Sequence, residues 1–299
     1  MKTLIVIVGA TATGKTAAAV QMAQKLGTEI LSCDSRQFYK ELSIGVARPS
    51  DDELAAAKHY FIACRSVTEP YNVFEYEHDA LDILNQLFKS KDTAIAVGGS
   101  GLYVDALCKG INLMPDPTPE LRAELSARIA AGHLPQLLDE LQRLDPEYYA
   151  IVDRRNPIRI QRALETIYTS GRKYSELTGE KLPERPFRIV KIGIRCERNE
   201  LRDRIDRRVD AMMQAGLLDE VSDLLPFRGL NTLNTVGYKE IFEYLDGIKS
   251  LEQAITEIKN HTWQYAKKQI TWLKRYDGIS WVDRNNFEDF LQVFDPKRY

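Results

Sequence analysis

The sequence is poor in the residues that build metal cages and disulfide frameworks. Its 299 residues include four Cys and four His. Cys33, Cys64, Cys108 and Cys196 form no CxxC pair, and no HxxxH or HExxH occurs, which argues against a zinc site and a disulfide framework and for reduced, buried thiols. No apolar run approaches the ~18–20 residues needed to span a bilayer. The opening MKTLIVIVGA turns after a short apolar run into a Gly-containing loop, the pattern of a buried strand and not of a signal peptide. A hydrophobic fraction of 44% with 17 Gly and 12 Pro excludes wholesale disorder and collagen-like structure. A cytoplasmic protein is expected, with one large domain or a core carrying a smaller one, at roughly 100–200 residues per domain.

Net charge is also nearly absent, at −2, but it is unevenly spread. Residues 150–208 hold 16 Lys+Arg against 9 Asp+Glu, a local balance of +7 that leaves −9 on the remainder. A second basic stretch, residues 259–275, has five cations (Lys259, Lys267, Lys268, Lys274, Arg275), no acid, and Trp263, Tyr265 and Trp272 interleaved. This pattern suits a polyanion-binding surface, since phosphate contacts release counterions. It equally suits a solvated helix face with its aromatics turned to the core.

Apolar runs at 4–8, 30–33, 60–64, 93–97 and 189–194 predict strands. Helical spacing at 16–26 and 75–88 alternates with them, and Gly27 supplies a C-cap. Such alternation predicts an α/β fold with a parallel sheet. The Pro-rich stretch 114–119 reads as a linker, followed by helical patterns at 120–131, 134–144 and 158–170, the last ended by Gly171. A second break, Leu182-Pro183-Glu184-Arg185-Pro186, precedes the return to strand. The expected organisation is a core first part at 1–114, an all-helical insertion at 115–187 and a core second part at 188–299 that ends in basic helices.

Gly9-Ala10-Thr11-Ala12-Thr13-Gly14-Lys15-Thr16 satisfies GxxxxGK[ST] between a strand and a helix. The glycines let backbone N–H groups curl around phosphate oxygens, the helix N-terminus favours an anion, Lys15 adds a point charge, and the Thr16 hydroxyl is suited to Mg²⁺. A P-loop NTPase also has an apolar strand ending in Asp. Here strand 93–97 runs instead into Gly98-Gly99-Ser100-Gly101, and the run Ile279-Ser280-Trp281-Val282-Asp283 is a poor substitute. The pattern is a diphosphate grip without clear hydrolytic machinery, with phosphate as handle or leaving group. Two further segments fall where strands of such a sheet end. Asp34-Ser35-Arg36-Gln37 is a dense polar cluster in which Asp34 is either a general base or a helix cap paired with Arg36. Val97-Gly98-Gly99-Ser100-Gly101-Leu102-Tyr103 is either a ligand-approach loop or a tight turn.

Taken together, GATATGKT, DSRQFYKELSIGVARP, VGGSGLY, NPIRIQRALE, RIDRRVDAMMQAGLLDEV, TVGYKE and QYAKKQITWLKR resemble the bacterial tRNA dimethylallyltransferases, the MiaA family, in family order from residue 9 to residue 275. The resemblance implies a P-loop NTPase-like core and transfer of a dimethylallyl group from dimethylallyl diphosphate to N6 of adenosine 37 beside the tRNA anticodon, with Mg²⁺. It implies catalytic roles for Asp34, as general base, and for Ser100, where the family usually has Thr. Residues 9–16 with Arg208 are implied to hold the diphosphate. Asp34, Ser35, Arg36, Gln37, Ser100, Arg122 and the segment Ile158-Arg159-Ile160-Gln161-Arg162 are implied to contact tRNA, and the helical insertion to clamp the anticodon stem. Ile158 stands where Gln is common, so one contact is expected to be missing. A monomer and no membrane association are expected. Two other readings are a P-loop nucleoside or nucleotide kinase and a non-catalytic tRNA-binding protein; neither uses both the complete Lys15-Thr16 pair and Asp34.

Overall fold

The computed structural model describes residues 1–298. By contacts the chain divides into two compact units, one formed by residues 1–109 with 185 onward and the other by residues 110–184.

The first unit is built on a six-stranded sheet in which β1 (Thr3–Gly9), β2 (Ile30–Ser32), β3 (His59–Tyr60), β4 (Thr93–Gly98), β5 (Arg188–Arg195) and β6 (Ile279–Asp283) stand in the order β3-β2-β4-β1-β5-β6. Every pairing is parallel. All seven residues of β1 are buried, as expected for a central strand covered on both faces. Successive side chains point to opposite faces. Leu4, Val6 and Val8 therefore enter one core with Leu31, Ala94 and Ala96, while Ile5 and Ile7 enter the other with Ile95, Ile192 and Ile194. The order places β4 between β1 and β2, so the carboxyl ends of these three strands lie side by side, where open α/β sheets bind ligands.

The strand expected at 60–64 is shorter and earlier. Phe61 and Ala63 take positive φ (64° and 49°), which turns the chain out of the sheet after Tyr60.

The second unit has its own core of Leu125, Leu137, Leu141, Ile160, Ala163 and Leu164. Its helices include Pro119–Ala130, Leu134–Leu144, Pro146–Ile151, Pro157–Ser170 and Tyr174–Gly179. Buried Asp145 caps the third of these through the Tyr148 N–H (3.0 Å) and reaches the last through the Ser175 N–H (2.8 Å) and hydroxyl (2.7 Å). The unit begins at 110 and ends at 184, whereas the proline punctuation suggested 115 and 187. Arg185, the first residue past that second boundary, belongs with the first unit. Its guanidinium donates to the carbonyls of Leu107 (3.0 Å) and Ala106 (2.6 Å) and pairs with Glu77, all in the first unit.

Candidate active site

The phosphate loop leaves β1 at Gly9 and enters the helix Lys15–Leu26 at Gly14, whose φ of 91° is the left-handed conformation that glycine adopts without strain. Gly14 offers no side-chain cap, so the first-turn N–H groups are free for a ligand and the helix dipole favours an anion there. Ala10 and Thr13 are buried on the inner side of the loop, the Thr13 hydroxyl donating to the Ala10 carbonyl (2.9 Å). Thr11, Ala12, Gly14, Lys15 and Thr16 face a cavity of about 570 Å³.

That cavity is cationic. Lys15, Arg48, Arg204, Arg207 and Arg208 line it, against the carboxylates of Asp34 and Glu53. Lys15 Nζ donates to the Ala10 carbonyl (2.6 Å), and Arg204 Nε to the Ala12 carbonyl (2.7 Å). Arg208 reaches the Thr11 hydroxyl at 3.4 Å. Burial pulls the Lys15 ammonium down to about 8; Arg208 lowers it further and Asp34 opposes the shift. Burial also lowers the pKa of Arg208, with Asp34 holding it up and Arg204 adding to the fall. Crowded, partly desolvated cations of this kind await an anion.

Asp34 stands two residues past the end of β2. Its Oδ1 accepts the Arg36 N–H (3.0 Å), and its carbonyl accepts the Gln37 N–H (3.2 Å), which fixes the carboxylate in a local turn. Gln37 is spent on protein: Oε1 accepts from the Ser32 hydroxyl (3.1 Å) and Nε2 donates to the Ala47 carbonyl (3.0 Å). The Ser100 hydroxyl accepts the Ser35 N–H (3.2 Å) and donates to the Ser35 hydroxyl (3.4 Å), so it bears on the segment carrying Asp34 and lines neither large cavity.

A second cavity, of about 810 Å³, is lined by Asp34, Ser35, Arg36, Gly237, Lys239, His261 and Lys268 among others. The two cavities share Thr11, Asp34, Arg208 and Tyr265. The cavity on one side is cationic and walled by the phosphate loop, the other is lined by mixed polar groups, and Asp34 lines both.

Residues 37–276 match the model of the IPP transferase family. The chain belongs to that family. It is 47% identical to tRNA dimethylallyltransferase 1 of Bacteroides thetaiotaomicron over 98% of this chain and 95% of that protein. It is also 47% identical to tRNA dimethylallyltransferase 1 of Phocaeicola vulgatus, over 97% of each. Its structure is similar to that of a tRNA isopentenylpyrophosphate transferase from Bacillus halodurans, with a TM-score of 0.71 and 33% identity over 98% of this chain and 95% of that one. A eukaryotic dimethylallyltransferase acting on tRNA gives a TM-score of 0.80 at 25% identity, over 100% of this chain and 77% of that one. The parallel sheet is therefore the P-loop NTPase-like core of this transferase family, and the kinase reading falls away.

Residues given no role in the sequence analysis also line the phosphate-side cavity: Arg204, Arg207, Tyr265 and Gln269. Burial, with Asp34 adjoining, pushes the Tyr265 phenol up to about 12. Arg204 and Gln269 stood inside the quoted motifs RIDRR and QYAKKQ, but no spacing rule assigns them a partner. The segment 158–162 lies on the helix Pro157–Ser170 of the second unit, and one expectation there is corrected. Ile160 is wholly buried with Ala163 and Leu164 in that unit's core, so its side chain is unavailable to RNA. Ile158 is 77% exposed. Arg122, Gln161 and Arg162 gather around buried Glu165, at 3.5, 2.9 and 3.9 Å.

Proposed function

We propose that this enzyme transfers the dimethylallyl group of dimethylallyl diphosphate to N6 of adenosine 37 beside a tRNA anticodon, releasing diphosphate. The observation that carries the reading is the wall of Thr11, Asp34, Arg208 and Tyr265 shared by the two cavities. A donor held by the phosphate loop and a base entering from the other side meet there at one carboxylate.

The exocyclic amine is a weak nucleophile because its lone pair is delocalised into the ring. Asp34, with one oxygen tied to the Arg36 N–H, accepts the N6 proton as the N6–C1 bond forms. The C1–O bond breaks, and its electron pair leaves on the diphosphate, whose growing charge falls among Lys15, Arg204, Arg208 and the first-turn N–H groups. The Ser100 hydroxyl positions Ser35 and with it the carboxylate.

Mg²⁺ fits the residues present. Among the described residues no group of three His, Cys, Asp or Glu is placed to hold a metal, and Thr16 offers a single neutral oxygen beside the loop. That suits an ion which takes most of its ligands from phosphate oxygens and water. When bound it neutralises diphosphate charge.

On the tRNA side, Asp34, Ser35 and Arg36 line the second cavity. In the second unit the exposed Ile158 and Arg159 with Arg122 and Arg162 supply RNA contacts, and the unit acts as a clamp on the anticodon stem. The target adenine must be flipped from its stack, at a few kcal/mol, which phosphate contacts offset. Among the described residues no helix is long and apolar enough to cross a membrane. A tRNA substrate puts the reaction in the cytoplasm, and the proposed enzyme is a monomer.

Labelled dimethylallyl diphosphate with unmodified tRNA tests the reading. Label is expected on adenosine with Mg²⁺ and none with EDTA; tRNA binding with no label even when Mg²⁺ is present sinks the transfer.

A further inference from the structure

We infer that Gln269 is a positioning residue that locks the diphosphate loop to the acceptor loop and so sets the distance between leaving group and base. The inference rests on the transfer reading above. Gln269 sits near the end of the helix Leu251–Leu273 and is only 6% exposed. Its Oε1 accepts the Thr11 N–H at 2.7 Å, and its Nε2 donates to the Gly99 carbonyl at 2.9 Å. Thr11 belongs to the loop after β1 and Gly99 to the loop after β4, so one planar amide spans the ends of two strands. No shorter or singly functional side chain supplies both an acceptor and a donor at that spacing.

Two features single out this amide from an ordinary buried glutamine. The first is what it bolts together. Thr11 carries the hydroxyl that Arg208 approaches (3.4 Å), and Gly99 precedes Ser100, whose hydroxyl accepts the N–H of Ser35 next to Asp34 (3.2 Å). Gln269 is thus the middle link between the cation that faces the leaving group and the carboxylate that faces the amine. The second is that the Thr11 N–H, in a loop whose amides serve phosphate, is spent on this bond instead. The fit leaves no slack, since a Cβ at Gly99 would overlap Nε2 of Gln269.

A residue that aligns reacting atoms acts on turnover more than on binding, because displacements of about 1 Å cost on the order of 10²-fold in rate. For Gln269→Met we expect kcat for prenyl transfer to fall about 10–100-fold. The dissociation constants for inorganic diphosphate and for tRNA, measured separately, should each change less than about threefold. Gly99→Ala, which pushes on the same amide, should reproduce that split. The double variant should be no worse than Gln269→Met alone, because both break one link. Gln269→Leu, which removes both bonds without adding charge to the cavity, serves where either variant folds poorly and should show the same split. Wild-type kcat in Gln269→Met, a loss confined to ligand binding, or additive losses in the double variant would each overturn the inference. A wild-type enzyme that binds both ligands and transfers nothing would instead overturn the transfer reading, and the inference with it.

Discussion

At the scale of single residues, the proposed transfer divides its chemistry between Asp34, at the proton, and Lys15, at the leaving group. Asp34→Ala removes the proton acceptor and leaves the surrounding turn short of one hydrogen bond. Turnover is expected to fall on the order of 10²–10⁴-fold while tRNA affinity stays nearly intact; single-turnover kinetics beside filter binding separate the two, and unchanged turnover removes Asp34 from the role. Lys15 makes a different prediction. Its pKa is pulled to about 8 by burial and by Arg208, so in the free enzyme the ammonium loses its proton as pH rises past that value. A bound diphosphate favours the charged form and restores the proton. Diphosphate affinity should therefore weaken as pH rises past about 8, and binding at pH 8–9 should take up a proton, read by calorimetry in buffers of different ionisation enthalpy. The unfolded chain holds this proton to higher pH, so folding releases it and the burden on stability lifts across pH 8 to 10.5.

At the scale of elements, the loop works because β1 is flanked on both sides. β5 pairs Ile194 with Gly9, and a Cβ on Gly9 would stand 2.5 Å from the Ile194 carbonyl oxygen and 2.9 Å from the Thr13 hydroxyl. The Ile194 carbonyl cannot yield without disturbing the β1–β5 ladder. Gly9→Ala should destabilise the protein by about 1–3 kcal/mol and weaken diphosphate binding; a thermal melt and a titration read the two, and no change in either would mean that the loop has slack. The loop, its flanking strand and its helix were all legible in sequence, since they are local and glycine-dependent. The burial of Ile160 was legible too: Ile160, Ala163, Leu164 and Ile167 form a buried stripe at helical spacing. A resemblance that treats residues 158–162 as one segment hides that a helix turns one residue of it inward.

At the scale of the whole molecule, the basic excess of residues 150–208 is shared by both units. Arg154, Arg155 and Arg159 stand exposed in the second unit, whereas Arg204 and Arg208 line the phosphate cavity of the first. Arg154 lies over the Tyr149 ring (4.7 Å) and Arg155 stands 3.7 Å from Asp153; in the proposed function this exposed set meets RNA phosphates and the second set meets the donor. Binding of tRNA should accordingly weaken steeply with salt. Replacing Arg154, Arg155 and Arg159 together by Ser should reduce the slope of log K against log salt by about two to three without changing diphosphate affinity. An unaltered slope would remove the tip of the second unit from the RNA surface. The other basic stretch is mixed in the same way. Lys259 pairs with Asp210 (2.6 Å), the Trp272 Nε1–H donates to Asp105 (3.3 Å), and Tyr265 turns toward the site.

The sequence by itself determined what depends on neighbours along the chain. The phosphate loop, the Asp34 turn, the strand–helix alternation and the presence of a helical insertion are written in glycine placement and apolar period, which act over a few residues. Tertiary structure decided what depends on distant segments meeting. Gln269 reaches the Thr11 amide across 258 positions, Arg204 closes on the loop across 192, and Arg185 binds carbonyls 78 and 79 residues away. A hydrogen bond needs its partner within about 3 Å, and no residue spacing encodes which carbonyl or amide the folded chain will bring there.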